Sequence, residues 1–313
     1  MCRPLDEFSV RFWGTRGSIP SPGPETLKYG GNTSCVEVRC GGELIILDAG
    51  TGIRNLGTEL MKEMPVKASI LFSHVHWDHI QGIPFFRPAY ISGNEFKLYG
   101  SKNWDTKLKD VLKWQMHKPC FPMTLEEVNA VGAKMEYTDI DAGTIFSIGD
   151  NDEITVRTAE LRHPDRAFGF RIEYNGRSLV YATDTEGSPM PDEALVELSY
   201  GTDLLIHDAQ YTSKEYYELS SDCGINWGHS TPEAAVEVAI AANVKELALF
   251  HHNPYHDDAT IDRMLEEASA IFPNTVAAYE DMVIELQPAM VPAQFRTEEM
   301  SLPLVYSLVP EPS

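Results

Sequence analysis

The stretch HVHWDH (residues 74–79) follows directly on the short apolar run ASILF (68–72). An apolar run of this length predicts a buried strand. Beyond it, His74 and His76 alternate and would present both rings on one side of an extended chain. Asp78 and His79 continue into a turn, from which their side chains can reach a second position close to the first. Imidazole and carboxylate groups suit Zn²⁺, Mn²⁺ or Fe²⁺, so the stretch predicts a metal site.

Three more candidate ligands follow later strand-like segments. His163 comes after the segment 153–161, Asp184 ends the segment 177–184, and His251 follows ELALF (246–250). Active sites of α/β folds gather where strands end. The candidates sort into two sites with Asp184 able to bridge them: His74, His76 and His163 for one metal, and Asp78, His79 and His251 for the other. His251 is preferred to His252 as the ligand, because alternation along a strand turns the neighbouring side chain away; a bulge in the strand would reverse the two, so His252 stays the alternative.

Both halves of the chain alternate predicted strands with predicted helices. The strands cover 8–13, 43–48, 68–72, 153–161, 168–174, 177–184, 203–208, 246–250, 275–280 and 282–286, and the helices cover 53–61, most of 105–131, 231–244 and 257–272. This pattern is typical of an α/β protein with packed sheets flanked by helices. We expect one domain over residues 1–289, followed by a Pro-rich tail or arm over 290–313.

HVHWDH matches the HxHxDH signature of the metallo-β-lactamase superfamily, and the later His, Asp and His follow in the order of its dinuclear members. The resemblance runs from about residue 8 to 286. It implies an αββα sandwich of two mixed β-sheets flanked by helices, with two divalent metal ions that hold a hydroxide. Zinc is the first expectation for the metal, with manganese or iron as alternatives. ILDAG (46–50) resembles the aspartate turn of the family, in which Asp48 would orient the metal-binding loop.

Three further segments resemble the ribonuclease Z and cyclic phosphodiesterase branch of that superfamily. They are SLVYATDTEG (178–187), IHDAQ (206–210) and GHSTPEAA (228–235). The resemblance implies phosphoester chemistry in which His229, paired with Asp208, gives a proton to the leaving group. Asp208 departs from the branch, which usually has Glu at this place. Asp78 is a candidate for accepting a proton as well as for binding metal.

The Gly- and Pro-rich loop 14–32 resembles the opening of the small-molecule cyclic phosphodiesterases. Arg16 and Ser18 in this loop could touch a phosphate, and His252 is a candidate for supporting the site; a structural loop over the sandwich edge is the competing interpretation of the segment. Ribonuclease Z enzymes hold tRNA with a long basic arm, and no Lys/Arg-rich, Gly-rich insertion is present here.

Charge separates the two kinds of phosphodiesterase. The 313 residues carry 25 Lys+Arg against 47 Asp+Glu, a formal net charge of −22, whereas proteins that grip nucleic acid neutralise phosphates with basic side chains. We therefore expect a metal-dependent phosphodiesterase acting on a small phosphodiester, first of all a 3′,5′-cyclic nucleotide. An RNA 3′-processing endonuclease and a non-catalytic metal-binding sensor or interaction protein remain the alternatives.

Composition also bears on location and assembly. No stretch approaches the roughly 18 apolar residues of a membrane span, and the first ten residues contain no apolar run typical of a secretion signal. The five cysteines are an odd number in a long chain, which favours a reducing cytoplasm over a disulfide framework. Proteins that resemble this branch are commonly dimers, so a homodimer is a further expectation.

Overall fold

A computed structural model describes residues 7–287, apart from 102–105, 150–152, 188–189 and 223–226. The expected tail over 290–313, and the expected domain boundary at 289, lie outside the described residues. The strands are β1 (Phe8–Gly14), β2 (Cys35–Cys40), β3 (Glu43–Leu47), β4 (Lys67–Leu71), β5 (Glu95–Ser101), β6 (Lys134–Ile140), β7 (Ile145–Ile148), β8 (Ile154–Leu161), β9 (Ala167–Tyr174), β10 (Arg177–Ala182), β11 (Leu204–Asp208), β12 (Glu246–Phe250), β13 (Thr275–Ala277) and β14 (Val283–Glu285). The helices are α1 (Gly52–Leu60), α2 (Trp77–Ile80), α3 (Leu108–Gln115), α4 (Leu125–Val131), α5 (Glu193–Ser199), α6 (Ser213–Asp222), α7 (Pro232–Ala241) and α8 (Asp258–Ile271).

The strands form two sheets of seven. The first sheet has the order β14-β1-β2-β3-β4-β5-β6, and the second has the order β13-β12-β11-β10-β9-β8-β7. In the first sheet β14, β1, β2 and β3 pair antiparallel, while β3 to β6 pair parallel. In the second sheet β10 to β13 pair parallel and β7 to β10 antiparallel. Both sheets are therefore mixed, as expected.

Side-chain alternation along the strands builds the layers. On β3, Ile45 and Leu47 lie in the apolar core between the two sheets, whereas Leu44 and Ile46 face α1, α3 and α4 on the outside. On the second sheet, Leu204 and Ile206 face the core between the sheets, and Leu205 packs with α5, α7 and α8. Successive residues of a strand point to opposite faces of its sheet, so strands buried on both sides read as continuous apolar runs. The αββα sandwich is confirmed.

The parallel halves of the two sheets bring polar strand ends together. β4 ends just before the HVHWDH stretch, β10 before Asp184, β11 at Asp208 and β12 before His251. No helix among the described residues combines the length and the apolar composition that crossing a membrane requires.

Candidate metal centre

The turn from β4 into α2 supplies four of the candidate ligands. His74 and His79 are fully buried and Asp78 nearly so. The backbone N–H of His79 donates to the carbonyl of His76, and the carbonyl of His79 accepts from Ala49. This turn is thus tied to its own start and to the segment after β3, and it holds His74, Asp78 and His79 in the interior.

The first ligand group consists of His74, His76 and His163, whose candidate ligand atoms lie within 4.8 Å of one another. Nδ1–H of His163 donates to the Gly228 carbonyl at 3.0 Å, and Nε2–H of His76 donates to Asp165 at 3.0 Å. A neutral imidazole carries one proton, so the remaining nitrogens are both acceptors. They face each other at 3.1 Å.

A cation fits between these rings better than a hydrogen bond does. Two lone pairs at 3.1 Å repel, and Nε2 of His74 is buried beside them without a hydrogen-bond partner. Burial, together with the neighbouring His79, lowers the pKa of His74 well below its usual value, which keeps the ring in the neutral form that binds metal. The donor set therefore fits a divalent ion held by three imidazoles.

The second group consists of Asp78, His79, Asp184 and His251, all buried. Asp78 Oδ2 lies 3.1 Å from Nε2 of both His79 and His251. Asp184 Oδ2 lies 3.2 Å and 3.3 Å from the same two nitrogens, and its other oxygen lies 3.6 Å from His74 Nε2. Asp184 thus faces both groups, which is the position a bridging ligand needs.

Charge is concentrated in the second group. Burial alone would raise the pKa of Asp184, but His251, His79 and His74 around it lower that pKa well below its usual value. Burial would also lower the pKa of His79, yet Asp78, Asp184 and Asp48 raise it well above the usual value. Buried carboxylates of this kind are retained where they are paired or coordinate a metal, and a divalent cation supplies the positive charge without protonating the rings.

Asp48 supports the second group without joining it. This fully buried side chain accepts four hydrogen bonds, from Ser73 N and Oγ, His79 Nδ1 and Tyr181 Oη, at 2.7–2.8 Å. The bond to His79 fixes the proton on Nδ1 and leaves Nε2 for a metal. The placement agrees with the orienting role that the sequence predicts for Asp48.

The two adjacent histidines after β12 have different surroundings. His251 points its Nε2 at Asp78 and Asp184. His252 instead donates from Nε2 to the carbonyl of Ala278 at 2.8 Å, away from both ligand groups. Burial is the main reason that the pKa of His252 falls to about 3. The structure therefore brings His251, and not His252, to the candidate metal centre.

Arg16 does not reach the pocket. It is fully buried, and its guanidinium donates to the carbonyls of Gly30, Asn253 and His256 at 2.8–2.9 Å. The expected contact of Arg16 with a phosphate is replaced by a structural role, in which it joins the loop 14–32 to the segment after β12. Ser18 does reach the site, where its backbone N–H donates to Asp78 Oδ2 at 2.8 Å.

Asp208 and His229 form the expected pair. Asp208 ends β11 and is fully buried, and its Oδ2 accepts from His229 Nδ1 at 2.8 Å. The ring of His229 stacks on His251 with centroids 4.9 Å apart. Thr231, rather than His229, caps α7 by accepting from Ala234. His229 is thus free of a helix-capping role and lies directly against the candidate metal ligands.

Three contributors escaped the sequence interpretation: Asp165, Tyr181 and Gly228. Asp165 accepts from His76, Tyr181 donates to Asp48, and Gly228 accepts from His163. A metal-binding histidine almost always donates its other N–H to a carboxylate or carbonyl. By this rule such partners are expected. Asp165 is close to His163 in the sequence, and Tyr181 and Gly228 lie within the motif segments 178–187 and 228–235, but no pattern assigned these contacts to them.

Comparison with known proteins places the chain in a family. A family model described as the β-lactamase superfamily domain matches residues 44–252. The chain belongs to this superfamily. This match confirms the resemblance that the sequence motifs indicate, and the chain shares its fold with the metallo-β-lactamase fold protein YhfI from Bacillus subtilis. That likeness has a TM-score of 0.65 at 18% identity and covers 90% of this chain and 99% of the other.

Several relatives match about nine-tenths of this chain and nearly all of their own length. Ribonuclease Z of Archaeoglobus fulgidus is 28% identical, with 89% of this chain and 98% of the relative covered. Ribonuclease Z of a Synechococcus strain is 25% identical, with 90% and 100% covered. The structure of the short form of human tRNase Z has a TM-score of 0.58 at 24% identity, over 88% of this chain and 98% of that one. The similarity to these two solved structures shows that this chain has the same fold as they do.

Proposed function

We propose that this superfamily member is a two-metal phosphodiesterase whose substrate is a small phosphodiester such as a cyclic nucleotide. The broad class, a metal-dependent hydrolase, is supported by its family and by the two ligand groups. The observation that carries the proposal is the hydrogen-bonded pair Asp208–His229 set against those groups: Asp184, Asp208, His229 and His251 each bring a ligand-type atom within 4.8 Å of the others.

The two ligand groups suggest which residues would bind each metal ion. His74, His76 and His163 would hold one divalent ion, Asp78, His79 and His251 the other, and Asp184 would bridge. When bound, two such ions lower the pKa of water to about 7 and neutralise charge that develops on a phosphoryl group. Imidazole and carboxylate ligands suit zinc, manganese and iron alike. Zinc is our first choice.

His229 is the proposed proton donor to the leaving alkoxide. Because Nδ1–H is committed to Asp208, only Nε2 of His229 can carry the transferred proton. The Asp208 carboxylate stabilises the protonated ring and fixes its orientation, while Gln210 N and Ser230 N donate to its other oxygen at 2.9 and 3.2 Å. Asp78 is engaged by Ser18, His79 and His251, and we assign it to metal binding rather than to proton transfer.

A second candidate function is cleavage of RNA. It is favoured by the relatives named Ribonuclease Z, which match over about nine-tenths of the chain, and these relatives weaken our expectation that nucleic acid is no partner. Two observations support the smaller substrate. The chain carries a net charge of −22, and its sequence contains no Lys/Arg-rich, Gly-rich insertion that could serve as a tRNA-binding arm.

The test compares substrates on the purified, metal-loaded protein. The panel contains bis(4-nitrophenyl) phosphate, a set of cyclic nucleotides, a tRNA precursor with a 3′ extension, and a chromogenic cephalosporin. We expect turnover of diesters and cyclic nucleotides. Efficient RNA cleavage, with binding that falls steeply as salt rises, would support the second candidate instead. Lactam cleavage alone, or no turnover at all, would refute both.

The role of His229 as proton donor can be tested through the leaving group of the substrate. His229→Ala is expected to keep both metals and to lose about 100-fold or more in kcat on a substrate with an alkoxide leaving group, the typical contribution of a general acid. The loss is expected to be much smaller with 4-nitrophenolate, which leaves without a proton. The matched control is His117→Ala, which removes an exposed histidine shortly after α3 that belongs to neither ligand group. Equal losses on both substrates would contradict the role.

A further inference from the structure

A cavity of about 560 Å³ opens beside the candidate metal centre, and the phosphodiesterase chemistry does not account for its lining. Two of its wall residues also touch the centre. Ser18 donates from its backbone to Asp78, and Gln210 donates from its backbone to Asp208. The cavity and the metal centre therefore share a wall.

The cavity lies on the side of the proposed proton donor. Tyr211 is one of its walls, and the ring of Tyr211 meets the ring of His229 edge-on, with centroids 5.9 Å apart. His229 is the group that we assign to the leaving alkoxide. A group that fills the cavity would therefore be attached to the departing oxygen of the substrate.

Large apolar side chains stand exposed around this cavity. Ile19 is 57% exposed, Trp227 58% and Tyr255 92%, and all three contribute to the lining. Clustered exposed apolar groups mark ligand-binding surfaces. Trp227 also has a left-handed backbone, with φ 53°, which is unusual for a bulky residue. Residues held in such conformations cluster at ligand-binding sites.

The charges in the cavity select against a second phosphate. Among the described residues, its lining contains Glu215 and Glu218 but no Lys or Arg. Burial alone would raise the pKa of Glu215, but its hydrogen bonds to His256 and Thr212 lower it to about 2, so this carboxylate is negative at neutral pH. A polyanionic chain would meet like charge there, whereas a flat uncharged ring would meet aromatic walls.

We propose that this cavity binds a flat, uncharged aromatic group on the leaving-group side of the substrate, by contact with Trp227 and Tyr255. The attachment of that group to a phosphodiester rests on the proposed function, whereas its binding does not. A nucleobase and a simple aryl ring share the required chemistry. Stacking of a base on an aromatic side chain is sequence-tolerant, because every base has an aromatic face.

The experiment measures binding separately from turnover. Isothermal titration calorimetry of the metal-loaded protein uses three uncharged probes: adenosine, anisole and methyl riboside. We expect adenosine to bind. Methyl riboside contains the sugar but no aromatic ring, and we expect it to bind far more weakly. If anisole binds as well as adenosine, any aryl group suffices; if it binds more weakly, the cavity recognises a nucleobase.

Variants assign the binding to the cavity. Trp227→Ala and Tyr255→Ala are each expected to raise the Kd of adenosine by about tenfold, since each removes one stacking surface, and Trp227→Phe is expected to restore most of the affinity. Trp114→Ala and Tyr200→Ala remove exposed aromatic rings that do not line the cavity, and are expected to change nothing.

The outcomes separate the two proposals. No adenosine or anisole binding, or binding that Trp227→Ala and Tyr255→Ala leave unchanged, would overturn the cavity assignment even if the protein hydrolyses bis(4-nitrophenyl) phosphate. Binding with the expected variant pattern but without diester turnover would leave the cavity assignment standing and refute the phosphodiesterase.

Discussion

Asp48 shows how one buried residue couples the two sheets at the site. It directly follows β3 of the first sheet, while Tyr181, which donates to it at 2.8 Å, belongs to β10 of the second sheet. Asp48 also holds His79 through Nδ1. The orientation of a candidate ligand in one sheet therefore depends on a hydroxyl from the other.

Tyr181→Phe tests this coupling. Loss of a hydrogen bond to a buried charged group is expected to reduce the free energy of unfolding by about 1.5–3 kcal/mol. Loss of a partner behind a metal ligand is expected to weaken metal affinity about 10- to 100-fold. Denaturant unfolding and titration with a competing chelator measure the two effects.

Tyr90→Phe is the matched control, because Tyr90 Oη donates to the carbonyl of Pro84 at 2.6 Å, away from the ligand groups. It is expected to lower stability without changing metal affinity. If both variants left metal affinity unchanged, Tyr181 would support the fold alone.

The residues of the candidate centre differ in how well the sequence predicts them. His74, His76, Asp78 and His79 stand in a dense run of ligand types that has no packing explanation. Asp165 and Tyr181 are single residues of common types, and only the folded chain shows that they touch His76 and Asp48. For Arg16 the sequence left a phosphate contact and a structural role both open, because sequence does not reveal that its partners are the carbonyls of Gly30, Asn253 and His256.

At the scale of elements, the turn before α7 shapes the first ligand group. Gly228 has a left-handed φ of 76°, and its carbonyl accepts from His163 Nδ1. A Cβ added to Gly228 would lie 2.3 Å from that nitrogen. The glycine is therefore required both for the backbone conformation and for the close approach of His163.

Gly228→Ala is expected to displace His163 and to lose the metal held with His74 and His76. The matched control is Gly176→Ala in the turn between β9 and β10, where φ is 71° and no atom lies within 4 Å of the added Cβ. Both variants are expected to lose about 1–2 kcal/mol of stability from the left-handed conformation. Metal analysis should show a loss in Gly228→Ala only, and equal metal content in the two variants would contradict the steric argument.

The elements that the sequence predicts are those with a strong local pattern. The expected helices at 231–244 and 257–272 correspond to α7 and α8, and the apolar strands of both cores are present. Strands β5, β6 and β7 are not among the predicted elements. β6 is an edge strand whose residues are mostly exposed, so its conformation depends on pairing with β5 rather than on burial of an apolar face.

At the scale of the whole molecule, the described cysteine thiols differ in burial and therefore in expected reactivity. Cys35 and Cys40 are buried, and Cys120 is exposed. Burial raises the pKa of Cys35 well above its usual value and that of Cys40 to about 12. Because the thiolate is the reactive form, these two thiols are expected to be inert at neutral and mildly alkaline pH.

A thiol titration checks this expectation. In a variant with Cys2→Ser and Cys223→Ser, which removes the cysteines outside the described residues, Ellman's reagent at pH 8 is expected to modify only Cys120 in the native protein. Cys35 and Cys40 are expected to react after unfolding in guanidinium chloride. Adding Cys120→Ser should abolish the native reaction; a reaction that persisted would show that a buried thiol is accessible.

The pairing of β14 with β1 determines how late in its synthesis the chain can complete the first sheet. β1 lies between β2 and β14, so the first sheet lacks a strand until nearly the whole described chain has been translated. The contact of Asp78 with His251 also forms late, because His251 is translated 173 residues after Asp78. At about 5–20 residues per second, that interval is roughly 9 to 35 s. During synthesis the HVHWDH segment emerges long before the residues that complete the candidate centre, and a nascent chain that ends before His163 contains only four of the seven candidate ligands.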